Sequence, residues 1–145
     1  MKKRIFLAVL VLAAFGACKT TSEQASSPAQ VENTTALLSE EEAMELGREL
    51  SRQFLEGEID SLWARMSAEM KKGLQSSENL ATFQKQVVAD AGEETEVVDE
   101  RVAAAPPHQV YLRTSSFSKK EKPVLLQWAL DPNGIITGFF VRPVQ

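Results

Sequence analysis

Apolar residues recur every three or four positions through residues 43 to 88, and nearly every second position after Gly92. The first spacing is that of an amphipathic helix and the second that of a half-buried strand. Ala43, Leu46, Leu50, Phe54 and Leu55 predict one helix. Ser39-Glu40-Glu41-Glu42 ahead of it reads as a capping box, with Ser39 accepting the amide of Glu42 and Glu42 reaching back. Three glutamates in the first turn suit the helix dipole, and Gly57 suits the left-handed residue that ends a helix. A second short helix is expected with Asp60 as its cap and Leu62, Trp63 and Met66 as its apolar face. Ser67 begins a further turn holding Met70 and Leu74. Ser76 or Ser77 caps another helix that turns Leu80, Phe83, Val87 and Val88 inward and closes at Gly92.

Beyond Gly92, Glu93 to Ala105 is a long strand broken by Pro106-Pro107. Val110, Leu112 and Thr114 alternate with Tyr111, Arg113 and Ser115 in a second strand, and Ser118 to Glu121 is a polar turn. Pro123 to Leu130 is a third strand with Val124, Leu126 and Trp128 on one face. Asp131-Pro132-Asn133-Gly134 is a turn, since Pro presets one central dihedral and Gly supplies the positive one. Ile135 to Val141 is the fourth strand, with Ile135, Phe139 and Val141 sharing a face and Gly138 marking a weak point or bulge. Helices followed by strands on short turns is an α+β order with an antiparallel sheet. Trp63, Phe54, Phe83, Trp128 and Phe139 are the expected shared core.

The N-terminus follows another pattern. Lys2, Lys3 and Arg4 precede an uncharged apolar run from Ile5 to Phe15. As a helix that run covers roughly 16 Å, about half the hydrocarbon core of a bilayer, which suits a signal sequence and not a permanent span. Gly16 and Ala17 are the small residues a signal peptidase needs, and Cys18 is the single cysteine of the chain. Phe15-Gly16-Ala17-Cys18 resembles the lipobox of bacterial lipoproteins, with Phe15 where that family usually has Leu. The resemblance implies cleavage after residue 17 and two or three acyl chains on Cys18, enough for stable anchoring. It also accounts for an unpaired cysteine in an exported chain. Lys19, in place of the Asp that signals inner-membrane retention, implies the outer membrane if the source is Gram-negative. Residues 19 to 37 are polar and without period and read as a flexible linker, reaching roughly 25 Å as a random coil. The expected organisation is a signal peptide at 1–17, lipidated cysteine and linker at 18–37, and one domain at 38–145, large enough for a core without disulfides.

Charge is uneven. The net charge is −4, with −10 in residues 38–100 and +4 in residues 101–145. Losing a +3 signal leaves about −7, which argues against nucleic acid and anionic membrane surfaces as partners.

Phe54-Leu55-Glu56-Gly57-Glu58-Ile59-Asp60-Ser61-Leu62-Trp63, Met66-Ser67, Met70 and the terminal Gly134-Ile135-Ile136-Thr137-Gly138-Phe139-Phe140-Val141-Arg142-Pro143 resemble a family of bacterial domains. These are extracellular domains of unknown function in the nuclear-transport-factor-2-like superfold, found alone in lipoproteins or ahead of secreted serine hydrolases. The resemblance implies a curved antiparallel sheet of about four strands wrapped by helices into a cystatin-like cone. It also implies a cavity, which Trp63, Tyr111, Asp99, Trp128 and Phe139 would line, and a homodimer through the open sheet face. It supplies no catalytic residues.

The search for chemistry returns little. His108 is the only histidine, beside two prolines and without a Gly-x-Ser-x-Gly elbow. One histidine and no free cysteine leave too few zinc ligands. Glu93, Glu94, Glu96, Asp99 and Glu100 lack the spacing of a calcium loop and read as a charged edge strand, with Glu96 and Glu100 on one face and Asp99 opposite. Lys119, Lys120 and Lys122 form a basic hairpin tip. No cofactor or metal is implied. The leading expectation is a lipid-anchored, non-catalytic domain binding a small apolar ligand or an envelope protein. The alternative is a small-molecule pocket enzyme, isomerase- or hydrolase-like, using Asp99 as base and Tyr111 as donor, an expectation resting on fold analogy.

Overall fold

The structure is a computed structural model that describes residues 36–144. Cys18, the apolar run before it and most of the linker lie outside those residues. Four helices come first: α1 (Glu40–Glu56), α2 (Ile59–Arg65), α3 (Ala68–Leu74) and α4 (Ser77–Ala91). Four strands follow: β1 (Glu94–Ala105), β2 (His108–Phe117), β3 (Val124–Leu130) and β4 (Ile136–Pro143). The strands form one antiparallel sheet in the order β1-β2-β3-β4, and the helices pack on one of its faces. The fold is α+β, as the sequence pattern requires.

Local chemistry sets the helix ends. The Ser39 hydroxyl accepts the Glu42 amide, and the Glu42 carboxylate accepts the Ser39 amide at 2.9 Å, an arrangement worth about 1 kcal/mol. Gly57 ends α1 at φ 79°, where a side chain would be strained. Ser67 and Ser76 cap α3 and α4. Asp60 does not cap α2; it lies inside the first turn, and Glu58 holds the cap position without a side-chain bond. The joint between α2 and α3 is pinned to the sheet by the Ser67 amide, which donates to the Ile136 carbonyl at 2.9 Å.

Side chains on the helix-facing side of the sheet align in rows. Val102, Tyr111, Trp128 and Phe139 form one row, and Glu100, Arg113, Leu126 and Val141 the next. Two irregularities in β1, at Thr95 and Val98, shift its alternation. The two cancel, so Glu94 and Glu100 face inward and Asp99 outward as plain alternation has them; only the stretch between is reversed, which turns Glu96 outward, and Glu96 and Glu100 do not share a face. A third, at Thr137, brings Ile136 rather than Ile135 into line with Phe139 and Val141. Ile136 is fully buried. Each extra residue reverses the face of everything beyond it, because the strand period is two.

Phe54, Tyr111 and Trp128 are fully buried, whereas Trp63 is half-buried and Phe83 is at the surface, 37% exposed. Helix α1 lies directly on the sheet along a row of small buried residues, Ala43, Gly47 and Ser51. A Cβ at Gly47 would sit 2.1 Å from Cγ of Tyr111, so α1 approaches the ring as closely as backbone allows. Gly47→Ala is expected to destabilise the fold by about 3 kcal/mol, at the upper end for overpacking, despite the better helix propensity of alanine. Urea unfolding checks this; a midpoint equal to wild type would mean that α1 lifts off Tyr111 at little cost.

Candidate functional site

Two surfaces of the sheet bear on function. The first is the helix-facing side, where the sequence reading places a cavity. Side chains fill that space. Trp128 and Phe139 stack with ring centroids 3.8 Å apart and planes within 14°. Phe54 meets Phe139 edge-on at 4.7 Å, and Phe83 closes the cluster from α4 at 6.1 Å from Phe139. Aromatic contacts of this kind add about 0.5–1.5 kcal/mol each beyond area burial. The Trp128 indole donates to the Ser51 hydroxyl at 3.0 Å, and Ser51 donates to the Gly47 carbonyl at 2.9 Å. The polar edge of the buried indole is thus satisfied by α1.

Beside the aromatic stack lies a cluster of charged groups. The Tyr111 hydroxyl donates to Glu100. Arg113 grips Glu94 through two bonds of 2.9 and 2.6 Å and also donates to Glu100 at 3.0 Å. Arg48, from α1, reaches the other oxygen of Glu100 at 3.0 Å. The cluster joins α1, β1 and β2 in one network. Burial by itself raises the carboxyls of Glu94 and Glu100. The hydrogen bonds and charge of Arg113 outweigh it at Glu94, and the bonds from Arg48 and Tyr111 outweigh it at Glu100. Both acids therefore sit below the ordinary carboxylate value. Burial, then the bond to Glu100, pushes the Tyr111 phenol well above its usual value. Its hydrogen bond to Glu94 pushes Arg113 up. The Ser115 hydroxyl is fully buried on the same face and adds a smaller downward pull on the Glu94 carboxyl.

The carboxylate beside Tyr111 is therefore Glu100 and not Asp99. Asp99 stands on the outer face, half-exposed and paired with Arg101 at 3.1 Å. Of the residues expected to line a cavity, Tyr111, Trp128 and Phe139 come together as one packed row. Trp63 lies apart on α2 with the Lys71 ammonium 6.0 Å from its ring centre. His108 opens β2 opposite Ala105. Among the described residues no group of three or more His, Cys, Asp and Glu side chains is placed to hold a metal ion. Gly47, Ser51, Glu100 and Arg113 carry the interior network. A small residue every fourth position on α1 was the available signal for the first two.

The second surface is the outer face, which no helix covers. Its middle row runs Arg101, Leu112, Gln127, Phe140; the rows on either side run Asp99, Thr114, Leu125, Arg142 and Ala103, Val110, Ala129, Gly138. Phe140 is 57% exposed and its ring lies 3.5 Å from where a Cβ on Gly138 would be. The centre mixes Val110, Leu112, Leu125 and Ala129 with the uncharged Thr114 and Gln127, and the charged residues stand at the two edges.

Comparison with known proteins finds no matching family model, curated protein or solved structure.

The charge cluster predicts an acid response. A carboxyl depressed in the fold adds stability above its unfolded value, about 4.3 for glutamate, and that stability is lost as pH falls through the folded value. Wild type is expected to lose melting temperature between pH 6 and pH 3. Glu94→Gln with Glu100→Gln is expected to melt lower at pH 7 and to show a shallower fall. Circular dichroism melts at each pH check this. An equally steep fall in the double variant would assign the acid sensitivity to other carboxyls.

Proposed function

We propose that this chain is a bacterial envelope lipoprotein, cleaved after Ala17 and anchored through lipid on Cys18, whose domain is a non-catalytic protein-binding module. The lipobox residues support the anchor, and Lys19 favours the outer membrane if the source is Gram-negative. The nuclear-transport-factor-2-like resemblance belongs to this reading and rests on the residues quoted for it.

The observation that most supports a binding role is the outer sheet face. Two such sheets pack face to face with strands nearly aligned. A two-fold axis running along the strands, between β2 and β3, exchanges β1 of one copy with β4 of the other. Asp99 and Arg142 occupy the same row at opposite edges, as do Arg101 and Phe140. The axis therefore brings Asp99 towards Arg142 of a second copy, and Arg101 towards the ring of Phe140, each contact occurring twice. Val110, Leu112, Leu125 and Ala129 lie between. Self-complementarity of this kind is what an isologous contact needs. The partner favoured by this face is a second copy of the chain.

The pocket-enzyme alternative has less support. Its proposed base, Asp99, is on the opposite side of the sheet from Tyr111, and the Tyr111 phenol is held by Glu100 beneath α1.

Cells supplied with labelled palmitate are expected to label the wild-type chain and not Cys18→Ser; label retained by the variant would remove the anchor. In chemical crosslinking of intact membranes, wild type is expected to give a dimer band. Phe140→Asp and Asp99→Arg are each expected to lose most of it, and Asp99→Arg combined with Arg142→Asp to regain it. A dimer band indifferent to all three would place the contact elsewhere; no dimer in wild type would leave the face to a different protein.

A further inference from the structure

At one end of the sheet, α4 and the strands diverge and leave a cleft of about 250 Å³, lined by Val87 and Ala91 of α4, Val124 of β3, and Val141 and Pro143 of β4. Asp90, Lys120 and Arg142 border it. The volume lies just under the ~300–1,000 Å³ of small-molecule sites, which suits a narrow ligand.

The walls are held in place. The Lys119 amide donates to the Ala91 carbonyl at 3.0 Å and the Ser118 amide to Glu93 at 2.9 Å, tying the base of the β2–β3 hairpin to the end of α4. The Lys119 ammonium adds a bond to the Ala89 carbonyl at 3.1 Å. A cleft fixed in this way loses little freedom when filled, which favours binding.

The mouth is basic on balance. Of the charged groups that line it, Lys120 and Arg142 are cationic and Asp90 is anionic. Lys120 pairs with Asp90 at 2.6 Å, and the Asp90 side chain is 76% exposed. An exposed pair of this kind is worth at most about 1 kcal/mol, so an incoming anion competes with Asp90 for the ammonium at little cost. Basic groups gathered over an aliphatic slot, on a chain whose net charge is −4, complement one kind of ligand: a short alkyl chain ending in an anionic head.

The cleft is also remote from the point where the chain enters the domain. Gln109, at the start of β2, donates to the Leu38 carbonyl at 2.9 Å. Val124 pairs with Ser115, six residues further along β2, or about 20 Å.

We infer that the cleft between α4 and the β3–β4 end binds a single-chain anionic amphiphile, its alkyl tail against Val87, Val124 and Val141 and its head group at Lys120. The site borders the outer sheet face only at Arg142, and its tail and head-group contacts do not depend on that face being an interface. The same chemistry is offered by a soluble fatty acid and by the acyl chain of an anionic membrane lipid.

The full chain in phosphatidylcholine nanodiscs, treated with a decanoic acid that carries a photoreactive diazirine on its chain, tests this. Crosslinks mapped by mass spectrometry are expected at Val87, Val124 or Val141, and excess decanoate is expected to compete while decanol competes poorly. Lys120→Glu is expected to lower labelling about tenfold, the effect of losing one charge-assisted bond and meeting a like charge. Val87→Phe, which fills the slot, is expected to abolish it. Repeating the experiment in phosphatidylglycerol discs separates the sources: loss of labelling there assigns the site to membrane lipid, and unchanged labelling assigns it to the soluble acid. Labelling that falls elsewhere, that decanol competes equally, or that Lys120→Glu leaves unchanged in a normally melting protein overturns the proposal. Labelling confined to Leu112 and Phe140 would instead point to the sheet face.

Discussion

The close approach of α1 to the sheet at Gly47 is the constraint on which the rest depends. Tyr111 reaches from β2 to Glu100 by passing beneath the helix, and it has room only because position 47 lacks a side chain. The same approach brings Ser51 to the Trp128 indole and Arg48 to Glu100. One helix therefore satisfies the polar edge of the buried Trp128 indole and one oxygen of the Glu100 carboxylate, whose other oxygen accepts the Tyr111 hydroxyl. Moving it outward by the width of a methyl group would strand those groups, and unpaired buried polar atoms cost about 1–3 kcal/mol each.

The register of β1 against β2 decides how this network is composed. Glu100 pairs with Arg113 and so joins Tyr111 and Arg113 inside, while Asp99 pairs with Thr114 and points out; the insertions at Thr95 and Val98 cancel, so Glu94 faces inward with Glu100. The interior thereby gains a carboxylate matched by two guanidinium groups, and the outer face gains the acid that stands across the sheet from Arg142. With the interior behind the sheet occupied by the Trp128–Phe139 stack, recognition among the described residues falls to surfaces such as the uncovered sheet face and the cleft at its end.

Most of the architecture was legible in the sequence. The change of apolar period near Gly92, the capping serines at 39, 67 and 76, the turn at Asp131–Gly134 and the left-handed glycine at 57 are local signals, each acting within about four residues, and they determined the number, order and type of elements. Such signals say nothing about what lies across the fold. Which alternating face of β2 turns inward, the unpartnered Thr95, Val98 and Thr137, the burial of Gly47 and Ser51 against Tyr111 and Trp128, and the choice of Glu100 over Asp99 all depend on contacts between residues tens of positions apart. A strand alternates its faces with period two, so a sequence settles its sides only up to the position of each bulge, and the pairing of whole strands places the bulges. The sequence by itself determined an α+β chain of helices followed by strands; only the tertiary structure decided that Phe54, Trp128 and Phe139 fill the interior together and that Phe140 faces out, because those choices rest on contacts across the fold.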